Sequence, residues 1–402
     1  MSFETVKENK KESAQFMSDE ITHIIKTFGK RDPGSDGEKK AVDYMAERCR
    51  EYGCDKVEVE SFKLHPAAFM GWIYITISLM LAAFALTFVP AIWAKVVGLV
   101  LIVIGLIPMI GEFILYKKVV DKLFKEKTSH NLTATKKPTG EIKRRIFFNG
   151  HPDAANEWTV NYHFGGIAFG AHFVISVLGL VYTTAVLIAQ FFITPSVAMI
   201  LACIAIIFVP FWVGLFFLWN ERRVVDGAND NLTGCYMGIS LLKALKESGI
   251  ELENTEVGVL LTGSEEAGLR GAKAWCEKHK DDYKDVETLV ISYDTIHEAK
   301  FLSVNAKDLN NMVAADKTAS DLFKNSADKI GVTCGIGSVP FGATDSAAFN
   351  QAGVKATGIT AMDHNLQDYY HIRRDTYDNL DLDCLADCFA VTAEVLNSYE
   401  NQ

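Results

Sequence analysis

The chain has 402 residues, enough for about two or three domains, and it is unusually apolar, with 49% hydrophobic and 11% aromatic residues. A formal net charge of −10 and the lack of a basic-aromatic repeat argue against a nucleic-acid-binding protein. Eight cysteines occur without a C-x-x-C pair, which argues against a disulfide scaffold and indicates reduced core residues.

The N-terminal region is polar and lacks the apolar core of a secretory signal. Residues 11–53 predict two amphipathic helices, separated at Phe28–Gly37 by a segment rich in turn-forming residues. The alternation of Lys56–Lys63 then predicts a half-exposed strand.

Two apolar segments follow, each long enough to cross a hydrocarbon core, which takes ~20 helical residues. No charge occurs from Phe69 to Trp93, and Glu112 is the only charge from Val96 to Tyr116. Lys95 marks a tight turn between them. These features predict a first transmembrane hairpin at residues 67–119.

A second uncharged stretch lies between Glu157 and Glu221, where no Asp, Glu, Lys or Arg occurs. Thr194-Pro195-Ser196 divides it into two spans, at about 167–193 and 197–219. A buried helix of a soluble protein needs only one apolar stripe, so this unbroken length predicts a second transmembrane hairpin at residues 163–220.

Each hairpin returns the chain to the side it left, so the remaining residues, 1–66, 120–162 and 221–402, would form one discontinuous domain. Basic residues flank the spans on the side of this domain, at Lys117, Lys118, Lys122, Arg222 and Arg223. The opposite turns carry only Lys95. The positive-inside rule therefore predicts a multi-pass integral membrane protein with the discontinuous domain on the cytoplasmic side.

After Thr233, predicted helices and strands alternate to the end of the chain. This alternation predicts an α/β fold with a mostly parallel, doubly wound sheet flanked by helices. Ligands of such sheets bind beyond the carboxyl ends of the strands.

Histidines and carboxylates gather at several of these predicted strand ends. Glu265 and Glu266 follow an apolar run, and His151 and Asp153 follow the strand Arg145–Gly150. The others are Asp230 in a turn that opens a helix, Asp294 after a strand, and His371. Two adjacent carboxylates repel each other, which indicates a nearby cation or a shared proton, although a solvated helix N-terminus is the alternative. The mixed nitrogen and oxygen set suits zinc.

The order His-x-Asp, Gly-x-Asn-Asp-Asn, Ser-Glu-Glu, Asp after a strand and Tyr-His resembles the two-zinc (co-catalytic) aminopeptidases of the twenty-eighth metallopeptidase family. The resemblance covers most of the chain from Glu20 to Glu400, apart from the two hairpin insertions. It implies the zinc exopeptidase fold, a peptide substrate and two Zn²⁺ per chain.

The resemblance also implies a role for each ligand. Asp230 would bridge the two metal ions. His151 and Asp294 would complete one zinc site, and Glu266 and His371 would complete the other.

Three further residues take catalytic roles by the same resemblance. Glu265 would be the general base that moves a proton from the activated water to the leaving amine. Asp153 would orient the His151 imidazole. Tyr370 would stabilise the tetrahedral oxyanion, with a simple packing role equally open.

Two local features complete this comparison. The peptide bond between Asp230 and Asn231 is a candidate for the cis form that the family often has. Asp345 lies in a loop that lacks the His of the family's usual Ser-Asp-His, which weakens the case for a substrate role there.

The leading interpretation is an integral membrane aminopeptidase that acts on peptides by metal-activated water. A carboxypeptidase or other amide hydrolase on the same scaffold is an alternative, and so is a catalytically silent membrane binding or scaffold protein. Glu265 beside a full ligand set argues against the silent protein, and His151 argues against a related one-zinc cyclase. The expected partners are a peptide and the lipid bilayer, without nucleic acid, and a homo-oligomer is left open.

Overall fold

The computed structural model describes residues 2–363 and 369–402. The chain forms two compact units, a sheet unit and a hairpin unit. The sheet unit comprises Met1–Leu64, Glu126–Asn156 and Val224–Gln402, and the hairpin unit comprises His65–Lys125 and Glu157–Arg223. The chain therefore enters and leaves the hairpin unit twice.

The strands lie almost entirely outside the apolar segments. They are β1 (Lys56–Leu64), β2 (Lys127–Lys136), β3 (Arg144–Gly150), β4 (Asn156–Glu157), β5 (Asn220–Val224), β6 (Thr255–Leu261), β7 (Glu287–Ile296), β8 (Leu302–Asp308), β9 (Val313–Ala314), β10 (Gly335–Ser338) and β11 (Lys355–Ala361). Strands β4 and β5 pair with each other, and the others form one nine-stranded sheet.

The large sheet has the order β1-β2-β6-β3-β7-β11-β8-β10, with β9 beside β8. Its four central strands, β6, β3, β7 and β11, run parallel, and antiparallel pairs lie toward both edges. Every residue of β6 is buried, as expected for a parallel strand covered on both faces. The predicted α/β fold with a mostly parallel sheet is confirmed.

Helices cover this sheet. Those of the sheet unit are α1 (Phe3–Glu8), α2 (Lys10–Phe28), α3 (Asp36–Glu51), α9 (Thr233–Ser248), α10 (Arg270–His279), α11 (Lys317–Lys329), α12 (Asp345–Gln351) and α13 (Leu382–Glu400). The main core joins side chains of α2, α3, α9 and α13 to the strands. This packing holds the carboxyl ends of the central strands in fixed positions.

The hairpin unit is helical. Its helices are α4 (Ala68–Leu86), α5 (Ile92–Pro108), α6 (Thr159–Ala189), α7 (Pro195–Ala205) and α8 (Val209–Leu215). A π-helical turn continues α5 to Ile114, and a short 3-10 turn joins α7 to α8. The four resulting helices, of 19, 23, 31 and 21 residues, are long and apolar enough to cross a membrane.

The ends of these helices differ from the predicted ones. Lys95 lies inside α5 rather than in the turn, which residues 87–91 form instead. Pro90 explains the difference, because proline removes a backbone donor and does not continue a helix. Lys95 Nζ donates to the Gln190 carbonyl at 2.6 Å, and Gln190 Nε2 donates to the Thr87 carbonyl at 2.7 Å. The turns of both hairpins therefore lie side by side.

Candidate metal centre

Three of the predicted ligand segments lie at the carboxyl ends of strands that are parallel neighbours in the sheet. His151 follows β3 and is 2% exposed, and Glu265 and Glu266 lie in a helical turn after β6. Asp294 lies near the end of β7. Because β6, β3 and β7 run parallel, their carboxyl ends meet at one edge, and the side chains that follow them are brought together.

Asp230 is presented by a buried turn before α9. Gly227, with φ of 60°, opens the turn, and the Asp230–Asn231 peptide bond is cis, which confirms that prediction. Asn231 Nδ2 donates to the Tyr293 carbonyl of β7 at 2.7 Å, and Asn231 Oδ1 accepts from Gly234 N at 3.1 Å. These bonds hold the turn against the sheet.

Asp230 lies between the two histidines. Its Oδ1 is 3.3 Å from His151 Nε2, and its Oδ2 is 3.0 Å from His371 Nε2. His371 Nε2 is also 3.1 Å from Glu266 Oε1. One ligand atom each of His151, Asp230 and Glu266 lie within 4.8 Å of one another. The structure therefore brings four of the five predicted ligands together, with Asp230 between the two histidines and Glu266 beside His371.

These separations fit a metal centre. Zinc is held tetrahedrally at ~2.0–2.1 Å by histidine nitrogen and carboxylate oxygen, which places two ligands of one ion roughly 3.3 Å apart. The contacts of Asp230 with both imidazoles are close to that value. Its two oxygens face different histidines, as a carboxylate shared by two ions requires. The donor set and its spacing thus suit zinc.

Asp294 and Glu265 border this group. Asp294 Oδ1 accepts from Thr295 Oγ1 at 2.9 Å. Burial raises the pKa of Asp294 well above its usual range, and the charge of Asp230 adds to the rise. Glu265 Oε2 lies 3.9 Å from His151 Nε2, beyond the closer His151–Asp230 contact. Both carboxyl groups thus lie within electrostatic reach of the central group.

The electrostatics of the group follow from burial and crowding. Burial raises the pKa of Glu265 well above its usual range, and Glu266 and Asp294 raise it further, although His151 opposes them. For His371, burial lowers the pKa, but Glu266 and Asp230 outweigh it and raise the pKa to about 10. Acids that crowd a small buried volume in this way are relieved by a cation.

Asp153 contacts both halves of the site. Its carboxylate is fully buried and accepts from the backbone N–H groups of Glu265 at 3.1 Å and Glu266 at 3.0 Å. Its Oδ1 also lies 3.4 Å from His151 Nδ1. Asp153 thus lies beside the His151 imidazole, and it also contacts the Glu265 turn, which the sequence does not predict.

Two other buried groups that the sequence did not point to hold the ligand turns. Asp375 accepts from Asn229 N at 2.8 Å and from Asp230 N at 3.2 Å, and burial together with the charge of Asp230 raises its pKa to about 7. Arg31 donates to the carbonyls of Pro152 at 2.8 Å and Gly227 at 3.0 Å. Arg31 thereby connects the segment after β3 to the Asp230 turn.

Glu38 supports the Glu265 turn from α3. Its Oε1 accepts from Ser264 Oγ and from Ser129 Oγ, both at 2.9 Å, and its Oε2 accepts from Gly34 N at 2.8 Å. Ser264 has φ of 59°, so the residue before Glu265 is held in a left-handed conformation. The Pro-Gly-Ser turn before α3 was the available signal in the sequence, but it does not disclose a contact with a turn more than 220 residues away.

The remaining predicted residues are Tyr370 and Asp345. The Tyr370 ring stacks on the His371 imidazole, with centroids 4.0 Å apart and planes at 18°. Asp345 is buried and accepts from Thr262 Oγ1 at 2.5 Å, and burial raises its pKa to about 7. Tyr370 therefore lies against a predicted ligand, and Asp345 lies against the segment between β6 and the Glu265 turn.

Comparisons with known proteins indicate the family and the fold that this chain resembles. The model of peptidase family M28 matches residues 216–396, a segment that includes Asp230, Glu265, Glu266, Asp294 and His371. A comparison with curated protein sequences finds no match.

The fold is shared with solved enzymes at low sequence identity. The zinc aminopeptidase BSAP from Bacillus subtilis has 13% identity and a TM-score of 0.56, with 96% of this chain and 95% of that chain covered. An aminopeptidase from Aneurinibacillus sp. strain AM-1 has 14% identity and a TM-score of 0.55, with 98% and 93% covered. Glutaminyl cyclase from Porphyromonas gingivalis has 12% identity and a TM-score of 0.54, with 98% of both chains covered. The motif order and the family match over residues 216–396 make this chain similar to peptidase family M28, and the solved structures share its fold.

Proposed function

We propose that the protein is an integral membrane, zinc-dependent aminopeptidase that binds two Zn²⁺ and releases N-terminal residues from peptides. The observation that carries this proposal is the position of Asp230, whose two oxygens face the imidazoles of His151 and His371. Asp230 would be shared by the two ions, with His151 and Asp294 as further ligands of one and Glu266 and His371 as further ligands of the other. The peptidase domain is proposed to span residues 1–66, 120–162 and 221–402.

When bound, the two ions polarise the scissile carbonyl and make a water molecule more acidic. The chain's own residues supply the proton transfers. Glu265 takes the proton of the attacking water and delivers it to the leaving amine. Its carboxylate lies 3.9 Å from His151, farther than the 3.1 Å between the proposed ligands Glu266 and His371. Asp153 holds the Glu265 backbone, and Tyr370 is positioned next to His371 for the developing oxyanion.

The charge of the site supports action at the amino end of a peptide. Asp230, Glu265, Glu266 and Asp294 can offset two divalent ions, and Asp153, Asp345 and Asp375 are additional buried acids around them. This excess of acidic groups favours a substrate end that carries an ammonium group over one that carries a carboxylate.

The four apolar helices support insertion into a membrane. Two helices per hairpin return the chain to its starting side, so all proposed ligands lie on one face of the bilayer. The lysines and arginines that flank the spans support the cytoplasmic face.

The test is hydrolysis and metal content of the detergent-purified protein. Free peptides should be cleaved from the amino end, and the same peptides with an acetylated amino group should resist cleavage. Glu265→Gln should retain its zinc and lose turnover by roughly 10²–10⁴-fold, the usual contribution of a general base.

The matched control is Glu47→Gln, which removes an exposed carboxylate of α3 and should leave turnover unchanged. Cleavage of acetylated peptides at their carboxyl end would replace the aminopeptidase with a carboxypeptidase. Cyclisation of peptides that begin with glutamine, without hydrolysis, would indicate cyclase chemistry. Purified protein without zinc and without turnover would support the silent scaffold protein.

A further inference from the structure

The hairpin unit contains a basic segment directly after its second apolar helix. We call this segment, residues 115–125, the lysine loop. It contains Lys117, Lys118, Lys122 and Lys125, all exposed, while its acidic residue, Asp121, is buried. Leu123 and Val119 are 72% and 44% exposed. The surface of the loop is therefore both positively charged and partly apolar.

The lysine loop has a defined conformation. Glu112, fully buried in the π-helical turn, accepts from the backbone N–H groups of Val119 and, at 2.7 Å, Val120. Gly111 leaves room for Val119, because a Cβ on Gly111 would lie 2.4 Å from Val119 Cγ2. A buried carboxylate at the end of the apolar helix thus holds the first half of the loop.

The second half of the lysine loop is held by the beginning of the first hairpin. The imidazole of His65 donates from Nδ1 to the Phe124 carbonyl at 2.8 Å. The Phe124 ring packs on Gly71 of α4, and the Tyr116 ring lies 4.8 Å from that of Phe69. The loop is therefore located where α4 begins and the helix ending at Ile114 stops, which is one end of a helical hairpin.

In the proposed membrane-spanning arrangement, this end of the hairpin lies at the level of the lipid headgroups. The helix Ile92–Ile114 has 23 residues, or about 34 Å at 1.5 Å per residue, so it crosses a hydrocarbon core of ~30 Å and ends at the surface. Lysines close to such a surface attract anionic lipids, and exposed apolar side chains such as Leu123 enter the boundary between headgroups and acyl chains.

We propose that the lysine loop binds the headgroups of anionic phospholipids in the bilayer that holds the spans. Lys117, Lys122 and Lys125 contact the phosphate groups, and Leu123 inserts beside the acyl chains. The inference rests on the membrane insertion in the proposed function and is independent of the proposed peptidase activity. It gives the protein a preference for anionic membranes at this surface.

The test uses the full chain, purified in a neutral detergent and titrated with phosphatidylglycerol or phosphatidylcholine, with bound lipids counted by native mass spectrometry. The wild-type protein should bind phosphatidylglycerol at least tenfold more tightly. Replacing Lys117, Lys122 and Lys125 together by Gln should remove that preference, since each lysine near a membrane surface contributes about fivefold. Leu123→Ser should weaken the binding of both lipids severalfold.

A variant with the same change of charge serves as control. Lys284, Lys300 and Lys317, exposed lysines of the sheet unit, are replaced by Gln, and the preference should remain. The proposal would be overturned if this control lost the preference for phosphatidylglycerol, or if the lysine-loop variant kept that preference unchanged. So would displacement of the lipid by millimolar inorganic phosphate, which would assign the loop to a soluble phosphate compound.

Membrane insertion is checked separately by extraction of isolated membranes with alkaline carbonate. Release of the protein would overturn the membrane part of the proposed function and the lysine-loop proposal with it. Retention of the protein without a preference for phosphatidylglycerol would overturn the lysine-loop proposal alone. Neither result bears on peptide hydrolysis.

Discussion

Asp153 shows how one side chain can couple the parts of the proposed site. A carboxylate has two oxygens, and Asp153 uses them for the N–H groups of Glu265 and Glu266 while Oδ1 also faces His151 Nδ1. An amide in the same place keeps one acceptor and presents an NH₂ group to an N–H donor. Replacing Asp153 by Asn should therefore affect zinc binding as well as the proposed base Glu265, because Asp153 contacts both His151 and the Glu265 backbone.

We therefore expect Asp153→Asn to weaken zinc binding and turnover each by about 10–100-fold, the usual cost of altering a group that orients a metal ligand. Zinc affinity would be measured by competition with a chelator, and turnover with a free peptide. Asp43→Asn, an exposed carboxylate on α3, is the control and should change neither value. Unchanged zinc affinity in Asp153→Asn would show that the contact with His151 has no orienting role.

At the scale of elements, Glu394 of α13 joins two other helices to the core. It forms ion pairs of 2.6 Å with Lys7 of α1 and Lys329 of α11, and Ser398 Oγ donates to it at 2.8 Å. Burial opposes its ionisation, but these partners outweigh burial and lower the pKa of Glu394 to about 2. Because the pKa is lower in the folded state than its ordinary value of 4.5, the ionised group stabilises the fold above that value. The stabilisation is lost as the pH falls toward 2.

Glu394→Gln should therefore lower the free energy of unfolding by about 1.5–3 kcal/mol at neutral pH, the usual range for hydrogen bonds to charged groups. The difference from wild type should shrink as the pH falls from 4.5 toward 2. Thermal unfolding in detergent across this pH range measures it. Glu47→Gln, which breaks an exposed ion pair with Arg50, should stay within about 0.5 kcal/mol of wild type at every pH. A difference that does not depend on pH would show that the ion pairs of Glu394 do not stabilise the fold.

At the scale of the whole molecule, the helices and strands that depend on residues close together in the sequence could be predicted. Uninterrupted apolar length indicated the four helices of the hairpin unit, and the alternation of helices and strands indicated the parallel sheet. The prediction of a turn at Lys95 is wrong, because Pro90 rather than the charged side chain determines where the turn lies. The roles of Arg31, Glu38 and Asp375 could not be predicted, because each depends on burial against a segment at least 120 residues distant in sequence.

The proposed metal ions have a further consequence for the molecule as a whole. Their ligands come from the ends of three strands, the turn before α9 and the turn at His371, so bound ions join segments between residues 151 and 371. A ligand that binds only the folded state stabilises it, by ~2.7 kcal/mol when its concentration is 100 times its Kd. Removal of zinc with a chelator should therefore lower the melting temperature, and added zinc should restore it. The melting temperature of Glu265→Gln should depend on zinc as strongly as that of the wild-type protein, because Glu265 is the proposed base. The melting temperature of His371→Ala should depend on zinc less strongly. A melting temperature independent of zinc in the wild-type protein would be incompatible with metal ions that hold these strand ends together.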